Sequence, residues 1–237
     1  MRYNTTWGLD MVADDIWRQA VDLTKKVFAA TSGIGLTLDR NWPVVVAVNL
    51  NQAHERLDSI FMLLVKGYGD SADVLTRSLF ETAVNLSYIA KDVEQRLPEY
   101  LRHGNIPLSE EDSEQIRRKL SQEPPPEVKD MVPGRAWKPL RDMCCDLGWS
   151  REYDTFYRFV SVVDHAGSFK LGTSYLQLLK QEPPSYWDRS AVLVTALCLY
   201  LRVAKVAATL FPTQIRAETI ADLSAQCDEM GKFWAKK

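Results

Sequence analysis

Charge of one sign is what this 237-residue chain lacks most plainly, since 29 lysines and arginines stand against 31 aspartates and glutamates for a formal net charge of −2. That balance excludes a global basic footprint, so binding to nucleic acid or to an anionic membrane would have to rest on a local patch. Cysteine is scarce as well. Cys144, Cys145, Cys198 and Cys227 form no Cys-x-x-Cys pair, which argues against zinc and against a disulfide scaffold. They read as reduced thiols of a cytoplasmic protein. The best apolar run, AVLVTALCLYL between Arg189 and Arg202, falls short of the roughly 20 residues that span a bilayer and reads as a core helix. Asp10, Asp14 and Asp15 interrupt the region where the apolar part of a secretory signal would sit. There is no phosphate loop, no Gly-x-Ser-x-Gly elbow and no His-Glu-x-x-His motif. The expectation is a protein with no membrane contact and no cofactor.

What is present has helical spacing almost throughout. Hydrophobic residues make up 46% and charged residues 25%, ordinary values for a globular chain. Met11, Val12, Ile16, Ala20, Leu23 and Val27 mark a first amphipathic helix, ended by Ser-Gly-Ile-Gly at 32–35. A second helix begins near Pro43, runs through Leu50, His54, Leu57, Phe61 and Leu64, and stops at Gly67 and Gly69. Asp70 or Ser71 is the expected cap of a third, with Leu75, Leu79, Ala83, Leu86 and Ala90 on one strip. Further helices are expected over Glu94–His103, Trp137–Leu147, Tyr153–Val163, Tyr186–Leu210 and Arg216–Trp234. Residues 104–135 are charged and carry three consecutive prolines, and read as a surface excursion. Val44-Val45-Val46 is the one β-branched run, and Asn49, Asn51 and Gln52 follow it without strand alternation. The expected fold is all-α, a multi-helix bundle forming a single domain over 1–237.

Polar residues on otherwise apolar strips are the candidates for a site, because burying a guanidinium, a carboxylate or an imidazole is costly unless it pairs or acts. Arg77 and Glu81 lie four apart in DVLTRSLFETAVNLSYIAKD and share a helix face, with Asn85 and Tyr88 continuing the strip. They read either as a buried ion pair that fixes helix packing, or as an anion-binding arginine with a carboxylate that orients a catalytic group. A second set lies in YDTFYRFVSVVDHAGS: at about 100° per residue, Tyr157, Ser161 and His165 form one stripe. Arg158 precedes His165 by seven positions and faces almost the same way. Arginine with six intervening residues before histidine is a ribonuclease arrangement in small helical proteins. There histidine accepts the 2′-hydroxyl proton or protonates the leaving oxygen, and arginine stabilises the phosphorane. The same spacing occurs at Arg96 and His103, and a packing or interface histidine is the competing reading. His54, Glu55, Asp58, Glu81, Asp164 and His165 are metal-capable residues, but the paired Glu-x-x-His motif of di-iron bundles is absent and no metal is expected.

RSLFETAVNLSYI, from Arg77 to Ile89, and the Tyr157-x3-Ser161-x3-His165 pattern resemble a family of helical bacterial proteins, the domain of unknown function 5677. More distantly the chain is similar to the higher-eukaryote and prokaryote nucleotide-binding (HEPN) helical fold, many members of which are dimeric RNases of toxin or phage-defence systems. That second resemblance implies catalytic roles for Arg158 and His165, with RNA or a nucleotide as substrate and a second copy or another protein as partner. The commoner arrangement has a polar residue directly after the arginine, where this chain has Phe159. The expected function is a metal-independent, RNase-like effector with Arg77, Glu81, Tyr157 and Ser161 in support. A helical protein-interaction module and a small-anion sensor are the alternatives.

Overall fold

Ridges of apolar residues three and four apart decide the architecture, because each helix must bury one such stripe against another. A computed structural model describes residues 11–32, 41–103, 137–157 and 189–235. In chain order its helices are α1 (Met11–Thr31), α2 (Asn41–Val65), α3 (Gly69–Ala90), α4 (Val93–His103), α5 (Leu140–Leu147), the single turn α6 (Ser150–Glu152), a π-helical turn (Tyr153–Tyr157), α7 (Arg189–Leu210) and α8 (Ala217–Ala235). No strand occurs among the described residues. The fold is an all-α multi-helix bundle. The 104–135 excursion and the ends of the helices expected over Tyr153–Val163 and Tyr186–Leu210 lie outside the described residues.

α7 is the centre. It packs against α1, α2, α3 and α8, and α3 in turn carries α4 and α5. Its buried residues, among them Leu193, Leu197, Tyr200, Leu201 and Ala204, surround the helix on every side, as a core helix requires. The helix is longer than its uninterrupted apolar run. By length and composition it is the one described helix able to cross a membrane, yet 72% of its most apolar stretch is buried within the protein. The stripes that meet it are Ile16, Ala20, Leu23 and Val27 on α1, as read from the periodicity, and on α2 the expected Leu50, Leu57 and Leu64 joined by Val46, Ala53 and Ile60, while His54 and Phe61 of the expected strip are only partly buried. Ile220, Leu223, Cys227 and Met230 do the same from α8. Each fully buried leucine or isoleucine in this set contributes about 1.5–3 kcal/mol.

Two glycines set the turns. Gly67 and Gly148 have φ of 81° and 76°, and each closes a Schellman motif at the end of its helix. After α2, Gly67 N–H donates to Leu64 O at 3.1 Å and Tyr68 N–H to Leu63 O at 2.8 Å. After α5, Gly148 N–H donates to Cys145 O at 3.1 Å and Trp149 N–H to Cys144 O at 2.7 Å. The first turn is so tight that α3 begins at Gly69, with Tyr68 at its cap position and no side-chain capping bond. The expected cap at Asp70 or Ser71 is therefore corrected: both residues are already helical.

Candidate functional site

The Arg77–Glu81–Asn85–Tyr88 strip of α3 lies between the core face of Leu79, Phe80 and Ala83 and the solvent, and it is the seat on which Trp137–Tyr157 docks. At one end Trp137 Nε1 donates to Asn85 Oδ1 at 3.0 Å and its ring meets Tyr88 edge-on, with centroids 5.7 Å apart. Arg96 lies over the Tyr88 ring at 3.8 Å and donates to Tyr88 O at 2.6 Å. α5 then runs to its glycine stop at Gly148, and α6 passes into the π turn. Isolated π turns widen the helix by one residue and concentrate at functional sites. Here the widened turn stacks Tyr153 on Tyr157 at 5.2 Å and lays Tyr157 against Phe80 at 5.4 Å.

Tyr157 thereby joins Arg77 and Glu81. Its hydroxyl donates to Glu81 Oε1 at 2.7 Å and accepts from Arg77 Nη2 at 3.2 Å. Arg77 Nε lies 3.4 Å from Glu81 Oε1, and the guanidinium carbon sits 5.0 Å from the Tyr157 ring centre. Burial, and then the bond to Glu81, hold the Tyr157 phenol above its ordinary pKa, so it remains a proton donor to the carboxylate at neutral pH. The reading of Arg77 and Glu81 as a buried pair is corrected. Their side chains retain 24% and 40% of full exposure, although Arg77 Nε is itself buried. The pair is thus half-buried, with Tyr157 against it.

Of the other residues singled out in the sequence, Arg158, Ser161 and His165 lie outside the described residues. The 100° stripe through Tyr157, Ser161 and His165 starts from an α-helical phase, whereas the turn ending at Tyr157 is π-helical. The α-helical phase therefore does not hold on its N-terminal side. Arg96, the first residue of the second arginine–histidine spacing, is engaged with Tyr88. His54 lies against Phe28, with ring centroids 4.1 Å apart, and its Nδ1 is 3.5 Å from the Tyr200 hydroxyl. Tyr200 shares a 2.7 Å hydrogen bond with Thr31, and burial pushes its pKa up to about 12. His54 is shifted down by burial, against the opposing charges of Asp58 and Glu55. Among the described residues no group of three His, Cys, Asp or Glu side chains is placed to hold a metal ion.

One cluster escaped the sequence reading. Arg202 of α7 donates from Nη2 to Glu152 Oε1 at 3.0 Å and lies over Trp149 at 3.9 Å, fastening α6 to the central helix. Arginine on an apolar strip was the signal that singled out Arg77, and the same signal was present at Arg202.

No curated protein and no solved structure matches the chain. Residues 44–183 match the model of the Family of unknown function (DUF5677). That span takes in Arg77, Glu81, Tyr157, Arg158, Ser161 and His165 together, and with more than half of its length matched the chain belongs to this family.

Proposed function

We propose that the chain is a cytoplasmic RNase-like effector of bacterial defence or toxin type, related to the HEPN fold, acting on RNA or a nucleotide through its own side chains without a metal. The observation that supports this reading is the Arg77–Tyr157–Glu81 cluster, partly open to solvent and one residue before Arg158. A guanidinium fixed by a phenol and a carboxylate is a preorganised partner for a phosphate, needing little reorganisation when the anion arrives. In this scheme Arg77 holds a phosphate beside the scissile one, while Glu81 and Tyr157 fix the guanidinium. His165 removes the 2′-hydroxyl proton or protonates the departing 5′-oxygen, and Arg158 stabilises the phosphorane charge. Ser161 belongs to the same shell. The partner is a second copy of the chain or another protein.

A second reading has its own support. Asn85 and Tyr88 on the same strip are engaged by Trp137 and Arg96, so the strip also works as a docking surface inside the molecule. That is what a non-catalytic interaction module needs. Cleavage of a mixed RNA pool by the full chain, with chelator present, separates the two. His165→Ala and Arg158→Ala should each lower the rate by about 10²–10⁴-fold with helicity and melting temperature retained. A well-folded wild type that cleaves nothing, with or without divalent metal, would overturn the enzyme reading and leave the module.

A further inference from the structure

α7 and α8 follow one another across residues 211–216 and pack together, and each presents a cysteine at their contact. Cys227 of α8 is buried, and its Sγ donates to the backbone oxygen of Val194 at 3.4 Å. In an α-helix that oxygen is also the acceptor for the N–H four residues on, which is Cys198, at about 2.9 Å. Cys227 Sγ therefore reaches the turn of α7 that carries Cys198, whose Cβ leans back along the helix toward the same oxygen. Their exposure differs: Cys198 is partly open to solvent and Cys227 is enclosed. The other cysteines are adjacent on α5, where Cys144 is buried and Cys145 faces out, with Ser150 Oγ 3.4 Å from its sulfur.

We propose that Cys198 and Cys227 are a reversible dithiol site, closed by a peroxide to a disulfide that pins α8 to the central helix and reopened by a thiol reductant. The Cys198 thiolate attacks one peroxide oxygen, the O–O bond breaks, and a sulfenic acid forms as hydroxide leaves. Cys227 sulfur then attacks the Cys198 sulfur. The S–O bond breaks and the oxygen departs as water, taking up the Cys227 proton. In total two thiols and one hydrogen peroxide give one disulfide and two waters. The order follows from the surroundings. Cys198 is the thiol open to solvent and so reacts first, while the neighbouring Cys198 thiol, and then burial, hold the enclosed Cys227 above its ordinary pKa and protonated.

The test uses the full chain, treated with hydrogen peroxide under native conditions, quenched with N-ethylmaleimide and digested with trypsin. Cys198 falls in the peptide Ser190–Arg202, Cys227 in Ala217–Lys232, and Cys144 with Cys145 in Asp142–Arg151, so each pairing has its own mass. The expected product is Ser190–Arg202 joined to Ala217–Lys232, two hydrogens lighter than the free pair and separated by dithiothreitol. Cys198→Ser and Cys227→Ser should each abolish it. In Cys227→Ser the sulfenic acid on Cys198 should then be captured by dimedone. Full maleimide labelling of both cysteines after peroxide, with helicity intact, would overturn the proposal. So would a link that forms only in denaturant, or pairing through Cys144, Cys145 or a second molecule instead.

Discussion

Removing one oxygen from Tyr157 tests the cluster on α3 with little disturbance to packing. Tyr157→Phe keeps the ring against Phe80 and Tyr153 and under the Arg77 guanidinium, and deletes the hydroxyl that bridges Glu81 at 2.7 Å and Arg77 at 3.2 Å. Hydrogen bonds to charged groups contribute about 1.5–3 kcal/mol when water is excluded. Arg77 and Glu81 keep 24% and 40% of their exposure and their own 3.4 Å contact, so water and that contact recover part of the loss. The expected cost is about 1 kcal/mol. By the same reasoning Glu81→Ala costs about 1–2 kcal/mol, not the 3–5 kcal/mol of a fully enclosed arginine left without its carboxylate. Urea unfolding of Tyr157→Phe, Glu81→Gln and the double variant gives a cycle, whose coupling should be about 0.5–1 kcal/mol. A Tyr157→Phe cost below about 0.3 kcal/mol together with zero coupling would refute the cluster. A cost above about 3 kcal/mol would refute the discount for exposure.

Two further expectations follow from the same physics at other sites. His54 has its pKa lowered by burial, so the unfolded chain takes up a proton there before the folded one does; this contribution is present above the ordinary value of 6.5 and is lost as the pH falls below it. Unfolding free energy measured from pH 8 to 5 should fall on the acid side less steeply in His54→Gln than in wild type, and equal slopes would contradict the assignment. Gly148 sits at φ 76° with open space where a Cβ would go, so Gly148→Ala should cost about 1–2 kcal/mol from backbone conformation alone. Denaturant unfolding would show it, and a neutral substitution would mean that the turn into α6 tolerates another conformation.

The bundle was legible because burial writes itself at spacings of three and four: Ile16 to Val27 on α1, and Leu50, Leu57 and Leu64 on α2, are both the periodic and the buried residues. Arg77 and Glu81 were legible as a pair for the same reason, being one turn apart on one helix. Tyr157 was singled out too, but its contact with them was not legible. Tyr157 is 76 residues from Glu81 in sequence, and no local pattern announces a contact of that range. Nor does an α-helical template describe Tyr153–Tyr157, which form a π turn. The burial of Arg77 was overestimated because an apolar neighbourhood along the chain does not tell how much another element covers. The start of α3 was missed since capping rules look for a side-chain acceptor, whereas the turn at Gly67 and Tyr68 satisfies its backbone by other means.

In the proposed function Arg77 grips the anion and His165 moves the proton, and RNA-binding anisotropy with a labelled oligonucleotide tests that division most directly. His165→Ala should bind within about twofold of wild type, since a proton shuttle acts on rate and not on the phosphate grip. Arg77→Gln, with helicity and melting temperature checked, should bind at least about tenfold more weakly, the loss of one charge-assisted hydrogen bond. Equal affinity of wild type and Arg77→Gln would contradict the claim and reduce the cluster to a clasp between α3 and the π turn.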